Sequence, residues 1–176
     1  MRARAGGAAI ALLAAVGVVS CATGRGTRIE DGVYRAPSGY RVTLPGAEWD
    51  VVTDDERGSR TDLQLRHRDG RAAMLAHAAC EGAAARRSFD ILTRHILVGL
   101  RDRTVIEDGS AQVNGRAAAH TVVDARRRRS DERVRVESYV VKDERCVYDL
   151  LFVAVPEVFD ARRPAFRSFV NSFTAP

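Results

Sequence analysis

Residues 146–155 have the sequence CVYDLLFVAV, in which nearly every position is apolar. A strand with one solvated face carries polar side chains at every second position, because successive side chains point to opposite faces. The missing alternation predicts a strand that is covered on both faces. Pro156 ends it, because proline has no backbone N–H to donate. The stretch therefore predicts the central strand of a sheet with a layer on each side.

The other strands predicted from the sequence alternate between apolar and polar side chains. Residues 69–70 are Asp-Gly and separate residues 63–68 from residues 71–80, which favours a hairpin with a two-residue turn. In this register Leu65 lies opposite Met74. Further strands are predicted at 39–44, 49–52, 105–113, 117–125 and 134–141, with an Asn-Gly turn at 114–115.

Two helices are predicted from apolar residues at helical spacing. The first spans residues 81–102, with Ser88 or an earlier residue as its cap, and the second spans about 160–173, with Pro164 tolerated only in the first turn. Short connections favour antiparallel pairing of the strands. The sequence therefore predicts an α+β fold, an antiparallel β-sheet flanked by helices on both faces in an α/β/α sandwich. The apolar positions are Phe89, Leu92, Ile96 and Leu100 in the first helix and Phe166, Phe169, Val170 and Phe173 in the second.

This order of elements resembles the PsbP-like superfamily, which includes the Ran-binding protein Mog and several small bacterial lipoproteins. The resemblance rests on the opening strand at 39–44 with the Pro-Gly turn and tryptophan that follow it, the mid-chain helix, the Asn-Gly turn at 114–115 and the Phe-rich terminal helix. It covers most of residues 38–174. It implies the same sandwich and a role in binding or assembly. Since the superfamily has no shared catalytic apparatus, no active-site residue carries over.

The first twenty residues have the parts of a secretory signal. Arg2 and Arg4 supply the positive start, and residues 8–19 form an apolar run too short to span a bilayer as a stable helix. The run ends in Val-Val-Ser-Cys at residues 18–21, which resembles the lipobox of bacterial lipoproteins. The resemblance implies that Cys21 becomes the lipid-bearing first residue of the mature chain. An ordinary secreted protein, or an uncleaved anchor with an incidental cysteine, is the alternative.

These features divide the chain into three parts. Residues 1–20 are the predicted signal peptide, residues 21–37 a lipidated N-terminus and flexible tether, and residues 38–176 a single globular domain. Removing the signal peptide, which contains two arginines and no acidic residue, would lower the formal net charge from +5 to +3. So small a charge does not imply a polyanionic partner. The predicted location is the cell envelope, facing the periplasm, and Ala22 after the lipobox favours the outer membrane in a Gram-negative host.

Cys80 and Cys146 are the remaining cysteines once Cys21 is lipidated. In an oxidising compartment they are candidates for a disulfide, since the hairpin register puts Cys80 on the core side and Cys146 begins the central strand. Two separate buried thiols are the alternative.

The run Arg126, Arg127, Arg128 and Arg129 is the strongest local charge feature. In a hairpin loop it is a candidate contact for anionic head groups or an acidic partner. The alternative is a solvated loop tip, since Asp131 and Glu132 dilute the charge. An exported protein is not expected to bind nucleic acid.

No metal or cofactor site is predicted, because none of the four histidines has the spacing of a zinc site. No catalytic sequence motif is present either. Asp149 stands inside the apolar central stretch, where a carboxylate must find a donor or shift its pKa. Arg135 or Arg145 is the expected partner, and structural pairing is favoured over catalysis.

The leading functional hypothesis is a membrane-tethered, non-enzymatic binding or assembly module, with the membrane and an envelope protein as its partners. One alternative is a carrier of a small apolar ligand, which predicts a pocket of several hundred Å³. Another is a hydrolase with scattered catalytic residues, which predicts that Asp149 lies in an open cleft beside a histidine.

Overall fold

The computed structural model describes residues 28–52 and 61–176, which form two antiparallel sheets and three α-helices. The small sheet contains β1 (Ile29–Glu30), β2 (Val33–Arg35) and β3 (Arg41–Thr43). The large sheet contains β4 (Trp49–Val51), β5 (Leu63–His67), β6 (Ala72–Ala79), β7 (Leu100–Val113), β8 (Arg116–Arg127), β9 (Arg133–Lys142) and β10 (Val147–Ala154). The helices are α1 (Gly82–Ala85), α2 (Phe89–Ile96) and α3 (Pro156–Asn171), and a 3-10 turn, Leu97–Gly99, follows α2.

The strand order of the large sheet is β4-β5-β6-β10-β9-β8-β7, with every neighbouring pair antiparallel. The apolar stretch that predicted a central strand is β10, and it lies in the middle of the seven. The predicted hairpin register is also confirmed, since Leu65 pairs with Met74 across β5 and β6. The α+β class and the antiparallel pairing agree with the sequence prediction.

Helix α3 packs on one face of the large sheet, called here the helix face. Phe152 of β10 projects from this face, and its ring centroid lies 5.1 Å from that of Phe159 and 5.5 Å from that of Phe166. Aromatic side chains are a large part of this core, and each typically buries about 150–250 Å². The helix face therefore holds the main hydrophobic core.

The opposite side of the large sheet, called here the second face, has a thinner cover. Helix α2 packs there through Leu92, which clusters with Val140 and Val147. The turn after α2 packs through Leu97, which clusters with valines of β8 and β9. The described molecule is mostly sheet, and these short elements cover only part of the second face.

The predicted helix over residues 81–102 is wrong in length. It is broken into α1, α2 and the 3-10 turn, and residues from Leu100 onwards belong to β7. Tertiary pairing decides the outcome, because β7 pairs with β8 from Leu100 to Val113, with two register shifts. Ser88 is the N-cap residue of α2, at the break between the helices.

The predicted terminal helix begins too late. It starts at Pro156, which occupies the first turn, where the missing N–H has no partner to lose. Pro164 therefore lies inside the helix and not in the first turn, contrary to the sequence expectation. Pro164 is exposed, so it leaves the apolar stripe of the helix undisturbed, and the buried side chains continue at Phe166.

Part of the predicted tether belongs to the fold. Residues 28–37 carry β1 and β2, and Tyr34 in β2 is 4% exposed and joins the core. The boundary of 21–37 is therefore too late at its end, because short strands with Gly and charged residues have no strong sequence signal. The signal peptide, Cys21 and the start of the tether lie outside the described residues. Within the described part, no helix is both long and apolar enough to span a membrane.

Candidate functional site

A groove of about 590 Å³ lies on the second face, between α2 and the strands β7 and β8. Its apolar wall includes Leu97, Val105 and Val123, while Asp90 and Arg94 stand at the rim on the helix side. Helix α2, the 3-10 turn that follows it and strand β7 carry the most exposed large aliphatic side chains of the described chain. These are Ile91, Val98, Val105 and Ile106, which are 47%, 65%, 60% and 49% exposed.

Strand β7 forms an edge of the large sheet. It is 14 residues long and mostly exposed, and it pairs only with β8 among the described strands. Register shifts between Arg101 and Thr104 and between Val105 and Glu107 interrupt its pairing. Bulges and charged residues blunt an open edge, but an edge of this length still offers backbone groups to an added strand.

A smaller pocket of about 280 Å³ opens on the second face where β6 meets β10. Asp149 of β10 lies directly opposite His77 of β6 in the strand register. Such cross-strand partners project from the same face, with Cβ atoms about 4.5–5.5 Å apart. The pocket is lined by Thr61, Leu75, His77, Ile96, Asp149 and Leu151.

The charge state of this pocket depends on two neighbouring groups. Burial raises the pKa of Asp149 to about 6, and the nearby His77 and His95 offset this only in part. The Asp62 carboxylate, whose Oδ1 lies 3.7 Å from Nδ1 of His77, raises the pKa of that imidazole. Asp62, His77 and Asp149 thus form a row of acid, imidazole and acid.

The expected pairing of Asp149 is wrong, since neither Arg135 nor Arg145 donates a hydrogen bond to its buried Oδ1. Nε of Arg135 donates to Oδ1 of Asp124 at 2.6 Å, and its Nη2 donates to Oδ2 at 2.9 Å. Arg135 and Asp149 cannot meet, since register places Arg135 on the helix face, where it lies over the Phe159 ring. Oδ1 of Asp149 is buried without a hydrogen-bond partner among the described residues.

The geometry that the hydrolase hypothesis requires is present, because Asp149 lies beside a histidine in a cleft. The described lining contributes one hydroxyl, that of Thr61, and no serine or cysteine. A hydrolase would also need a nucleophile oriented by the imidazole, and Thr61 is the candidate that this described lining offers.

Cys80 and Cys146 are joined by a disulfide in the structure. The bond links the end of β6 to the start of β10, the two strands that carry His77 and Asp149. Asp143 braces the same corner by accepting hydrogen bonds from the Cys146 N–H and the Tyr148 hydroxyl. The oxidised state of the natural protein stays a prediction.

The arginine run lies at the hairpin that joins β8 and β9. Nη1 of Arg126 lies 3.4 Å from Oδ1 of Asp131, and Nε of Arg127 lies 3.3 Å from Oε2 of Glu132. Arg128 and Arg129 are exposed in the turn. Because acids of the same hairpin offset part of the charge, a contact with an anionic partner would rest on these last two residues and stays a prediction.

Sequence reasoning missed a buried ionic cluster on the helix face. Glu137 is fully buried, with Nε2 of His120 2.8 Å from its Oε1 and Nε of Arg163 donating to its Oε2 at 2.9 Å. Burial opposes ionisation of Glu137, but these hydrogen bonds outweigh it and lower its pKa. No signal in the sequence marks Glu137, because its strand alternates as a solvated strand would.

In the described ranges, no three His, Cys, Asp or Glu side chains converge as metal ligands.

No protein-family model and no curated protein matches this sequence. Among solved structures, the fold is similar to that of CyanoP, the cyanobacterial PsbP of Synechocystis sp. PCC 6803, with a TM-score of 0.56 and 10% identity over 82% of this chain and 91% of that one. A protein from Bacteroides thetaiotaomicron VPI-5482 matches with a TM-score of 0.56 and 7% identity, over 82% of this chain and 48% of that one. Identities this low show the fold alone. The chain therefore has a PsbP-like fold.

Proposed function

We propose that this chain is a lipid-anchored, non-enzymatic binding module of the bacterial cell envelope, held at the periplasmic side of a membrane through Cys21. The lipobox-like residues 18–21 support the anchor, because acyl chains attached there give stable membrane binding where one chain alone does not. Ala22 favours the outer membrane in a Gram-negative host.

One observation carries the binding role. The groove on the second face lies beside the open edge of β7, so an apolar depression and unpaired strand backbone adjoin each other. Monomeric proteins seldom expose such a combination without a partner. In this proposal α2 is the partial helical layer of the predicted sandwich, and the partner completes the cover.

The partner that fits best is an extended segment of another envelope protein. Its backbone would pair with β7, and alternate aliphatic side chains would enter the groove beside Val105. Asp90 and Arg94 on the rim offer both signs of charge, which suits a polar peptide better than a uniformly charged polymer.

A carrier of a small apolar ligand is the alternative. The space between α3 and the sheet is occupied by aromatic rings, including those of Phe152, Phe159 and Phe166. A carrier would therefore have to use the open groove, which encloses a ligand less well than an internal cavity does. For this reason a protein partner is preferred.

Photo-cross-linking in cells tests the binding role. A photoreactive residue in place of Val105 should yield one adduct of defined mass, while the same residue in place of Arg167, an exposed position of α3, should not. The substitution Ile106→Asp adds a charge to the β7 edge and should reduce the Val105 adduct several-fold. Equal labelling at both positions, or an adduct unaffected by Ile106→Asp, would contradict the proposal.

The anchor is tested separately. Cys21→Ser removes the acceptor of the lipid, so the protein should move from the membrane fraction to the soluble fraction. A protein that stays in the membrane fraction after this change would argue against lipid attachment at Cys21.

A further inference from the structure

The pocket between β6 and β10 contains the carboxylate of Asp149, whose described surroundings do not supply the hydrogen-bond donor that would stabilise its charge at Oδ1. Oδ1 of Asp149 is buried and accepts no hydrogen bond from the described residues. A buried carboxylate without a donor is unfavourable, and such groups in native proteins commonly mark a functional site. A ligand that donates a hydrogen bond to Oδ1 would supply the missing donor.

The walls around this carboxylate are aliphatic. Leu75, Ile96 and Leu151 line the pocket together with Asp149, His77 and Thr61. The volume of about 280 Å³ approaches the lower end of the range of small-molecule sites, about 300–1,000 Å³. A ligand that fills it would place hydrocarbon against the leucines and one polar group against Asp149.

The charges that face the pocket select the sign of that polar group. Asp149 lies opposite His77 across the strand pair, and Oδ1 of Asp62 lies 3.7 Å from Nδ1 of the same imidazole. No arginine or lysine is among the lining residues that the structure describes. His95 at the end of α2 is the other titratable neighbour of Asp149. With the imidazole of His77 neutral, the ionised Asp149 gives the described lining a net negative charge, which favours a cation.

We propose that this pocket binds a small organic cation, with a protonated amine hydrogen-bonded to Asp149 and its hydrocarbon part packed against Leu75 and Leu151. The aliphatic walls favour an organic ligand over a bare ion, because a hard cation takes six or more oxygen ligands, and beside Asp149 the described lining adds only the Thr61 hydroxyl and the His77 imidazole. This site is independent of the proposed partner groove, which lies on the other side of α2.

Binding to this site depends on pH in a defined direction. Burial raises the pKa of Asp149 to about 6, so acidification below that value neutralises the acceptor. Asp62 raises the pKa of His77, so the same acidification places a positive charge beside the ligand. Both changes weaken the binding of a cation. Affinity should therefore rise as the pH increases from 5 to 8.

Titration of the purified full-length protein in detergent tests the proposal. The probe is cyclohexylamine, and cyclohexanol and cyclohexanecarboxylate serve as its neutral and anionic counterparts. At pH 8 the amine should bind and the other two should bind at least about tenfold more weakly, since a hydrogen bond between charged groups is involved. Lowering the pH to 5 should weaken amine binding by a similar factor. Equal binding of cyclohexanol, or no binding of the amine, would overturn the proposal.

Two variants locate the site. Asp149→Asn keeps the shape of the side chain and should weaken amine binding about tenfold. Asp90→Asn removes a carboxylate from the larger groove on the same face and should leave amine binding unchanged. Circular dichroism of Asp149→Asn checks that the fold is retained. Loss of binding in Asp90→Asn, or full binding in Asp149→Asn, would place the amine elsewhere and overturn the proposal. None of these results depends on finding a protein partner.

Discussion

Glu137 is a buried acid and Asp149 is a partly buried one, and their surroundings act on them in opposite directions. Glu137 has an arginine and a histidine beside it, and its pKa is lowered. Asp149 has no hydrogen-bond donor at Oδ1 in the described structure, and burial raises its pKa to about 6. The first acid should stabilise the fold when ionised, and the second should destabilise it.

Asp149→Asn should therefore stabilise the protein at neutral pH. The carboxyl ionises near 3.8 in the unfolded chain and near 6 in the folded one, so the folded state loses stability as the pH rises through this window. Asp149→Asn has no carboxyl group to ionise at this position, so it does not lose this stability. Its free energy of unfolding should exceed that of the parent by about 1–3 kcal/mol at pH 7.5 and by little at pH 4.

Urea unfolding at both pH values measures this difference, with Glu144→Gln as the control for an exposed carboxylate. The control should stay within about 0.5 kcal/mol of the parent at each pH. A destabilised Asp149→Asn at pH 7.5 would show that the carboxylate has a donor.

Glu137→Gln should have the opposite effect. The change leaves the guanidinium of Arg163 without its buried counter-charge, so the free energy of unfolding should fall by about 3 kcal/mol. Glu107 accepts from the same Arg163, at 2.8 Å, but its side chain is 41% exposed. Glu107→Gln should therefore cost less than about 1 kcal/mol in the same urea titration. If the two variants lost equal free energy of unfolding, burial of Glu137 would not explain its contribution to stability.

At the scale of elements, α3 is the main contributor to the helix face. Phe166 is fully buried and stacks on Phe152. Phe166→Ala should lower the free energy of unfolding by about 3–5 kcal/mol, because it removes a large side chain and leaves a cavity. Ser168→Ala, at an exposed position of the same helix, should change it by less than about 0.5 kcal/mol. Thermal or urea unfolding of the two variants makes the comparison, and a small effect of Phe166→Ala would show that α3 is loosely docked.

The success of the sequence prediction varied with the type of element. The stretch 146–155 identified its central position because burial on both faces removes the polar alternation. The Asp-Gly turn fixed a register that pairs Leu65 with Met74. The helix predicted over 81–102 failed because local helical spacing competes with the pairing of β7 to β8, which no local pattern records. The predicted partner of Asp149 was wrong for a related reason. Arg135 could pair with Asp149 only if both side chains projected from the same face of the sheet.

For the whole molecule, the proposed anchor at Cys21 would hold a domain in which the described residues cover only part of one sheet face. The fold belongs with that of CyanoP, but an identity of 10% leaves function to be argued from this chain's own residues. A net charge of +5 for the full sequence is too small to suggest binding driven by charge alone.

The most direct test of the anchored binding module is native mass spectrometry of the full-length protein, extracted from its own membranes without reducing agent. The proposed module should have a mass that begins at an acylated Cys21 and is two hydrogens below the dithiol value, if the Cys80–Cys146 bond of the structure forms in the cell. A complex that retains an envelope protein would further support the binding role. A chain without acylation would contradict the central claim.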